Sequence, residues 1–368
     1  MSVSVQVPVE SVDVAAYEIP TDAHESDGTL QWDSVTCVVV QVSAGDHTGL
    51  GYTYAHQSAA TLIADKLADV VIGRDALQTG DAWAAMVGAI RNLGRPGIAS
   101  TAISAVDIAL WDLKGRLLDA PVTALLGAFH DGVEVYGSGG FTSYPVERLC
   151  GQLAGWVEQG IPRVKMKVGR DTPADPERVA AARAAVGDDV ELYVDANGAW
   201  TRKQALAMAW RLAEFGVRWL EEPVTSDDPE GLRLLRDRGP GLMDIAAGEY
   251  GYDLPTFRDM LAAGAVDCLQ ADVTRCGGVT GFQRVGALCD AHTIDLSAHC
   301  APSVSAHVCA AQWHFRHIEY FHDHVRIERM LFDGRPELVD GCLVVDRSRP
   351  GIGLELKRAD AEQYRVAG

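Results

Sequence analysis

Hydrophobic and polar positions follow two different rhythms along this chain, and the change between them falls near residue 130. Apolar and polar residues alternate in strand fashion from Val3 to about Gly51. Three later stretches instead repeat apolar residues every three or four positions: 58–72, 81–93 and 100–118. The first part of the chain is therefore predicted to be a small antiparallel sheet followed by helices, an α+β unit.

After about Gly132, short apolar runs alternate with helical segments, which is typical of parallel strands joined by helices. Eight runs are predicted to be strands: Val133–Tyr136, Arg163–Val168, Glu191–Val194, Trp219–Leu220, Asp244–Ala246, Cys268–Gln270, Ile294–Leu296 and Ile318–Tyr320. Their spacing of roughly 25 residues fits one strand and one helix of a (β/α) barrel. The pattern predicts a capping domain over 1–130, a barrel over 131–325 and a tail over 326–368 that packs back on the cap.

One polar, glycine-containing segment, Thr21–Gln31, interrupts the first sheet. A long hairpin connection and a flap over the barrel mouth are equally compatible with its composition. Both alternatives place it as a loop outside the strands.

Composition and charge narrow the range of partners. Of the 368 residues, 48% are hydrophobic and 23% are charged, which is the balance of a globular protein with a large core. The formal net charge of −19 repels phosphate backbones and anionic membranes, so neither is a predicted partner. A small carboxylate substrate would need local positive charge at its site.

Cysteine spacing and the N-terminal sequence bear on the compartment. The eight cysteines are scattered without a C-x-x-C pair, which indicates buried thiols in a reducing environment. The opening sequence MSVSVQVPVE lacks the features of a signal peptide, and no apolar run approaches the roughly 18 residues of a membrane span. The sequence predicts a cytoplasmic protein.

The predicted strands end in an unusually polar set of residues. In a barrel, the carboxyl ends of all strands surround one opening, where the active site lies. The set consists of Lys165, Lys167, Asp195, Asn197, Glu221, Glu222, Glu249, Asp272, His299 and Glu319.

Three carboxylates in this set end three successive strands: Asp195, Glu221 and Glu249. Oxygen ligands without cysteine or histidine favour a hard cation, and Mg²⁺ fits because it also takes water and substrate oxygens. Asn197 follows two positions after Asp195. It is compatible with holding a ligand or substrate oxygen, and equally with forming the Asn197–Gly198 turn.

Two lysines, Lys165 and Lys167, share one face of their strand because side chains alternate with period two. Such charges are costly inside a barrel without a purpose. Mutual repulsion is expected to lower the pKa of at least one ammonium group, which would make Lys167 a base near neutral pH.

Asp272 and His299 end neighbouring strands, so the aspartate can accept a hydrogen bond from one imidazole nitrogen and raise the basicity of the other. Residue type alone does not select His299, because other histidines lie nearby in the sequence: His292, His307, His314, His317, His322 and His324. His299 is selected instead by its position at the end of the run IDLSAH, directly after the apolar residues of the predicted strand. Glu319 ends the last strand, where a protonated carboxyl donor and a structural ion pair are the two alternatives.

These residues stand in segments that resemble the mandelate racemase subgroup of the enolase superfamily over nearly the whole chain. The segments are ISAVDIALWDLKGR with PVTALLG, VKMKVG, VDANGAW, WLEEPV, AAGE, DVTRCGG, SAHCAPS and EYFHDHVRIERMLFDG. Together they are specific, whereas any one alone would be weak. The resemblance implies an α/β fold, a modified (β/α)₇β TIM barrel with an α+β capping domain formed by the N-terminal region and the C-terminal tail.

The same resemblance implies roles for the site residues. One Mg²⁺ is held by Asp195, Glu221 and Glu249. Lys167 is the base on one face of the substrate α-carbon, and Lys165 lowers its pKa and neutralises the carboxylate. His299 with Asp272 serves the other face, and Glu319 is the electrophilic carboxyl group; a lysine or histidine base with Mg²⁺ is the general pattern of enolase-type sites.

Removal of a proton next to a carboxylate leaves a dianion that needs a cation and hydrogen-bond donors. With a β-hydroxyl, its expulsion gives a 2-keto-3-deoxy acid; without one, reprotonation from the opposite face inverts the centre. The residues alone are compatible with both outcomes. The resemblance implies dehydration of a sugar acid, an aldonate or aldarate, because that is the commoner activity among relatives with this residue set. Racemisation or epimerisation of a 2-hydroxy acid is the alternative, and a non-catalytic binding protein is a remote one.

Residues of the cap are expected to complete the pocket. Tyr52, Tyr54 and the Thr21–Gln31 segment, including His24, indicate polar contacts with a hydroxylated substrate. The family resemblance also implies a homo-oligomer, an octamer or a smaller even-numbered assembly.

Overall fold

A computed structural model describes residues 6–367, so the first residues of the predicted alternating pattern, Val3 among them, lie outside the described part. Its centre is a closed ring of eight parallel strands, with the last strand paired to the first. The ring strands are β4 (Gly132–Gly139), β5 (Arg163–Lys167), β6 (Glu191–Asp195), β7 (Val217–Glu221), β8 (Asp244–Ala247), β9 (Cys268–Ala271), β10 (Asp295–Ala298) and β11 (Phe315–Phe321).

Seven helices alternate with these eight strands, which confirms the predicted (β/α)₇β barrel. The helices are α6 (Val146–Glu158), α7 (Asp175–Val186), α8 (Arg202–Ala213), α9 (Pro229–Arg238), α10 (Leu254–Ala262), α11 (Gly278–His292) and α12 (Pro302–Cys309). Several begin at a side-chain cap; Thr201 forms a reciprocal capping box with Gln204 before α8. The side chains of Asp228 and Asp253 also cap α9 and α10, so the loops after β6, β7 and β8 each end at a capped helix.

The capping domain is a separate sheet with its own core. Its sequential strands are β1 (Ser11–Ser26), β2 (Gln31–Ala44) and β3 (His47–Tyr54). Its helices are α1 (Ser58–Leu62), a π-helical turn (Ile63–Leu67), α2 (Ala68–Val71), α3 (Thr79–Ala89), α4 (Ile98–Leu117) and α5 (Val122–Leu126). Helix α4 packs so closely on β3 that a Cβ at Gly51 would lie 2.2 Å from the Ala105 carbonyl oxygen, so the contact requires glycine.

The tail contacts both the cap and the barrel. Its elements are α13 (His322–Leu331), β12 (Phe332–Asp333), β13 (Glu337–Val339), β14 (Cys342–Val344), β15 (Glu355–Leu356), α14 (Arg358–Ala361), a 3₁₀ turn (Glu362–Tyr364) and β16 (Arg365–Ala367). Strand β16 pairs with β1 of the cap, whereas β14 pairs with the amino end of β4, whose backbone groups need partners there. The boundary placed at residue 325 falls inside α13.

The segment Thr21–Gln31 is mostly strand, so its prediction as a loop is wrong. Strand β1 continues to Ser26, paired with Gln31, and only residues 27–30 form the turn. The hairpin tip rests on the barrel mouth, because Thr142 N donates to Ser26 O at 2.8 Å and Arg170 Nε donates to Asp27 O at 3.0 Å. The hairpin therefore also covers the mouth, as the flap alternative required.

A buried acid pair joins this hairpin to the barrel. Glu25 accepts hydrogen bonds from Trp32 Nε1 at 3.0 Å and from the Tyr144 hydroxyl at 3.1 Å. Asp323, also buried, lies beside it at the start of α13. Burial, together with the hydrogen bond and the charge of Asp323, raises the pKa of Glu25 from 4.5 to about 9. Glu25 is thus held as a neutral acid at neutral pH.

Replacing Glu25 with glutamine is expected to stabilise the protein at pH 7 by on the order of 1–3 kcal/mol. Because the folded pKa lies above the unfolded one, the folded state loses stability as pH rises from about 4.5 to about 9. Glutamine keeps the acceptor for Trp32 and cannot ionise. Urea unfolding from pH 4 to 9 should show a gap that widens with pH, whereas the exposed control Glu147→Gln should show none; a constant gap would contradict the assignment.

No helix within residues 6–367 has the length and apolar content that crossing a membrane requires. All eight cysteines are free thiols, as expected, although Cys150 and Cys342 are only partly buried.

Candidate active site

Strand register brings the central residues of the site into one layer. Lys167 on β5 pairs with Asp195 on β6, and Asp195 pairs with Glu221 on β7. These three residues end their strands, so their side chains meet at the carboxyl end of the barrel. Lys165, two positions earlier, lies one layer deeper and is fully buried.

The three carboxylates predicted to hold a cation lie together. One oxygen from each of Asp195, Glu221 and Glu249 falls within 4.8 Å of the others, and all three residues are buried. Glu249 Oε2 is buried without a hydrogen-bond partner; His299 Nε2 lies 3.2 Å from it but without hydrogen-bonding geometry. A crowded set of hard oxygen donors with an unsatisfied buried oxygen fits a divalent cation such as Mg²⁺.

Both lysines are paired with these carboxylates. Lys165 Nζ donates to Glu221 Oε1 at 2.6 Å, and Lys167 Nζ donates to Asp195 Oδ2 at 2.5 Å. Burial and repulsion from Lys165 both lower the pKa of Lys167. The negative charge of Asp195 and of the other carboxylates outweighs them, so the net shift of the pKa is upward. The expected low pKa of Lys167 is therefore wrong for this structure, because the carboxylates outweigh the second ammonium group.

His299 is oriented from behind by Asp272. Its Nδ1 donates to Asp272 Oδ2 at 2.7 Å, and the other carboxylate oxygen accepts from the Thr274 amide and hydroxyl, each at 2.7 Å. Burial raises the pKa of Asp272, but the hydrogen bond and the charge of His299 together with other groups outweigh burial, so the net shift is downward. The carboxylate of Asp272 is therefore the charged partner. Nε2 of His299 is thus the nitrogen that faces the cavity side, where its neighbours include the Cys300 sulfur at 3.3 Å. Burial lowers the pKa of the ring, but Glu249 and Glu319 outweigh burial and the net shift is upward.

Glu319 is an ion-paired carboxylate, which corrects the alternative of a protonated donor. Lys165 Nζ lies 2.8 Å from its Oε1, and Ser138 Oγ donates to the same oxygen at 2.6 Å. Burial raises its pKa, but Lys165 and then His299 lower it well below the ordinary value. The second oxygen accepts from the Cys300 thiol at 3.2 Å.

Strained backbone surrounds the site. Asn197, Glu222, Cys300 and Ala301 follow strand ends with φ between 37° and 52°, a region that costs a non-glycine residue of order 1–3 kcal/mol. Gly248, with φ of 136°, directly precedes Glu249, and a Cβ there would lie 2.0 Å from the Gln270 carbonyl oxygen. The surrounding packing therefore holds these loops in unfavourable backbone conformations, and those conformations set the directions of the side chains.

A cavity of about 310 Å³ lies between the barrel end and the cap. Lys167, Glu249, His299 and Glu319 line its floor. A larger cavity, about 910 Å³, opens at the opposite end of the strands beside Arg163 and contains none of the predicted site residues. Since Lys167, Glu249, His299 and Glu319 all line the smaller cavity, that cavity is the candidate active site.

Strand order puts Lys167 and His299 on opposite sides of this cavity. Strands β5 and β10, which carry them, are separated by five steps around the ring in one direction and three in the other. The amine of Lys167 and the imidazole of His299 therefore reach the cavity from opposite sides.

The predicted substrate contacts are only partly brought together. Tyr54 and Asn197 line the cavity, and Asn197 Oδ1 is buried without a partner. His24 is instead half-exposed and pairs with Asp33 at 2.7 Å, because its strand position points away from the cavity. Tyr52 is fully buried and its hydroxyl donates to Glu328 at 2.6 Å. It therefore joins the cap to α13 and is not among the residues that line the cavity.

Three cavity residues were not predicted to act there. Arg275 Nη1 donates to the Glu249 carbonyl at 3.1 Å, and Cys300 touches both His299 and Glu319. The motifs DVTRCGG and SAHCAPS contain both residues, so position after a strand end was a usable signal. His324 lies in the segment EYFHDHVRIERMLFDG, three residues after β11, and reaches the cavity from the first turn of α13.

Comparisons with known proteins agree with this architecture. Residues 10–127 match the family model of the mandelate racemase/muconate lactonizing enzyme N-terminal domain, and residues 148–361 match that of enolase C-terminal domain-like proteins. The chain is 36% identical to 3,6-anhydro-alpha-L-galactonate cycloisomerase of Streptomyces coelicolor, over 95% of this chain and 98% of that protein. Other relatives are sugar-acid dehydratases.

Solved structures extend the likeness. A mandelate racemase/muconate lactonizing enzyme-like protein from Rubrobacter xylanophilus is 59% identical, with a TM-score of 0.96 over 98% of this chain and all of that one. L-Talarate dehydratase from Polaromonas sp. JS666, complexed with Mg and L-glucarate, is 29% identical with a TM-score of 0.89, over 98% and 97% of the two chains.

The capped barrel, with its carboxylates and proton-transfer groups at one strand end, defines a class of barrel enzymes. Within that class, the chain belongs to the enolase superfamily, in its mandelate racemase/muconate lactonizing enzyme group.

Proposed function

We propose that this enzyme removes the proton next to the carboxylate of a sugar acid and expels the β-hydroxyl, forming a 2-keto-3-deoxy acid. The observation that carries the proposal is the placement of Lys167 and His299 on opposite sides of a cavity floored by three clustered carboxylates. Abstraction on one face and protonation of the leaving hydroxyl on the other need such a pair.

The ligands proposed for Mg²⁺ are Asp195, Glu221 and Glu249, whose clustered oxygens fit this ion. When bound, Mg²⁺ supplies positive charge for the substrate carboxylate and the dianion formed from it.

Lys167 holds its proton firmly while Asp195 is its main counter-charge, with smaller contributions from Glu319 and Glu249. Once the charge of Asp195 is compensated, repulsion from Lys165 lowers the pKa of Lys167 and lets Nζ accept the α-proton. On the other face, Asp272 fixes the tautomer of His299, and the raised pKa of the ring favours a protonated Nε2 that can donate to the leaving oxygen.

Inversion of the α-carbon is the second candidate, because the same two groups can remove and return a proton on opposite faces. The relative at 36% identity is a cycloisomerase, so anhydro and lactone forms of sugar acids belong among the substrates to be tested.

A screen of sugar acids with Mg²⁺ tests the proposal. We expect at least one acid to give a semicarbazide-reactive 2-keto acid, with loss of the α-proton by NMR in D₂O. Solvent exchange on 2-hydroxy acids without keto-acid formation would favour racemisation instead. Binding of sugar acids without exchange on any of them would contradict both reactions and favour a non-catalytic protein.

A further inference from the structure

The two ends of the cavity differ in charge. The floor at the barrel end contains the cations Lys167 and Arg275 together with His299. The cap end is lined by Asp27, by the imidazole of His56 and by neutral side chains such as Trp32 and Thr36. Within residues 6–367, no other lysine or arginine lines this cavity. A permanent positive charge for a carboxylate is therefore available at the barrel end alone.

Asp27 makes the cap end unfavourable for a second carboxylate. Its Oδ1 accepts from the amides of Thr29 at 2.6 Å and Leu30 at 2.7 Å, which holds the side chain in the hairpin turn at the cavity wall. The guanidinium of Arg170, at the same hairpin turn, donates from Nε and Nη2 to the backbone oxygens of Asp27 and Leu30. A carboxylate placed here would lose water without gaining a charged partner.

A neutral hydrogen-bond donor also faces the cavity. His324 Nδ1 accepts from the Ala301 amide at 3.2 Å, so the proton of the neutral ring is on Nε2. The ring stacks on Tyr54 with a centroid separation of 3.4 Å and an angle of 11°, which fixes its plane. Burial, with a smaller contribution from His299, lowers the pKa of His324 to about 3, so the ring remains neutral.

We propose that the substrate is a monocarboxylic sugar acid, an aldonate, whose uncharged distal end is recognised by a hydrogen bond from His324 Nε2 to a hydroxyl group. The proposal rests on the proposed function and chooses between the two substrate classes that it leaves open. The strained Cys300–Ala301 turn contributes to this recognition. It directs the Ala301 amide at His324 Nδ1, and that hydrogen bond sets the tautomer of the ring.

Matched pairs of acids test the substrate class. Each pair shares its configuration and differs only in whether the last carbon is a hydroxymethyl group or a carboxylate, as in galactonate and galactarate or gluconate and glucarate. Among acids that lose the α-proton in D₂O with Mg²⁺, we expect kcat/KM for the aldonate to exceed that for its aldarate by at least about tenfold. Equal or preferred turnover of aldarates would overturn the inference while leaving the proposed reaction intact. Failure of every acid to exchange would refute the proposed function itself.

Two substitutions test the role of His324. Asparagine places an amide oxygen near the position of Nδ1 and lacks the distal donor, whereas glutamine can place its amide nitrogen near Nε2. We expect His324→Asn to raise KM about tenfold at nearly unchanged kcat, and His324→Gln to recover part of the loss. The effect should vanish on the aldonate that lacks its terminal hydroxyl. A fall in kcat with unchanged KM, or an equal loss on the deoxy acid, would overturn the contact; His314→Gln, at the surface, is the matched control.

Discussion

Lys167→Ala is expected to lower kcat for sugar-acid turnover by about a thousandfold, within the range of 10²–10⁴ that a positioned acid or base contributes. His299→Asn is expected to have an effect of similar size from the opposite face. The reason is geometric, since the two residues lie across the cavity and neither can reach the other face of the substrate carbon.

The two variants should separate the faces of the α-carbon. In D₂O with a pair of C2-epimeric acids, Lys167→Ala should retain exchange only for the epimer whose proton faces His299, and His299→Asn should show the reverse. Circular dichroism and Mg²⁺ binding should remain near those of the parent. The exposed control Lys203→Ala should leave exchange unchanged; exchange of both epimers at the parent rate in Lys167→Ala would refute the assigned base.

Glu249→Gln is expected to abolish both turnover and the stabilisation that Mg²⁺ gives the parent protein. With Mg²⁺ at 100 times its dissociation constant, binding to the folded state adds about 2.7 kcal/mol to the free energy of unfolding. Glu249 is the most informative ligand to change, because its Oε2 has no hydrogen bond to lose. Glu221→Gln would also weaken the buried contact with Lys165, and so mixes metal binding with stability.

Titration calorimetry and thermal unfolding with and without Mg²⁺ measure this effect. The exposed control Glu230→Gln should bind the ion and gain stability as the parent does. An unchanged Mg²⁺ affinity in Glu249→Gln, with activity retained, would remove Glu249 from the proposed ligand set.

Most of the barrel follows from local sequence. Each buried strand is a short apolar run, and parallel strands of a closed barrel present their carboxyl ends at one opening, so the polar residues after each run could be collected before any contact was known. The motifs around Lys167, Asp195 and His299 belong to this part of the argument. Their roles in catalysis remain a prediction.

Long-range contacts account for the predictions that were wrong. Repulsion between Lys165 and Lys167 is local, but the carboxylates that raise the pKa of both lysines come from other strands. Glu319 is ionised for the same reason, and His24 is directed away by the course of a hairpin whose tip lies on the barrel.

The strands, the helices and the residues that end each strand could be predicted from the periodicity of apolar residues in the sequence. The physical reason is that buried side chains recur every second residue in a strand and every three or four residues in a helix. Three properties required the three-dimensional arrangement: the charge states of the clustered groups, the tautomer of His324 and the difference in charge between the two ends of the cavity. These properties depend on distances between residues far apart in the chain, and electrostatic energy varies with distance and burial in ways that local sequence does not encode.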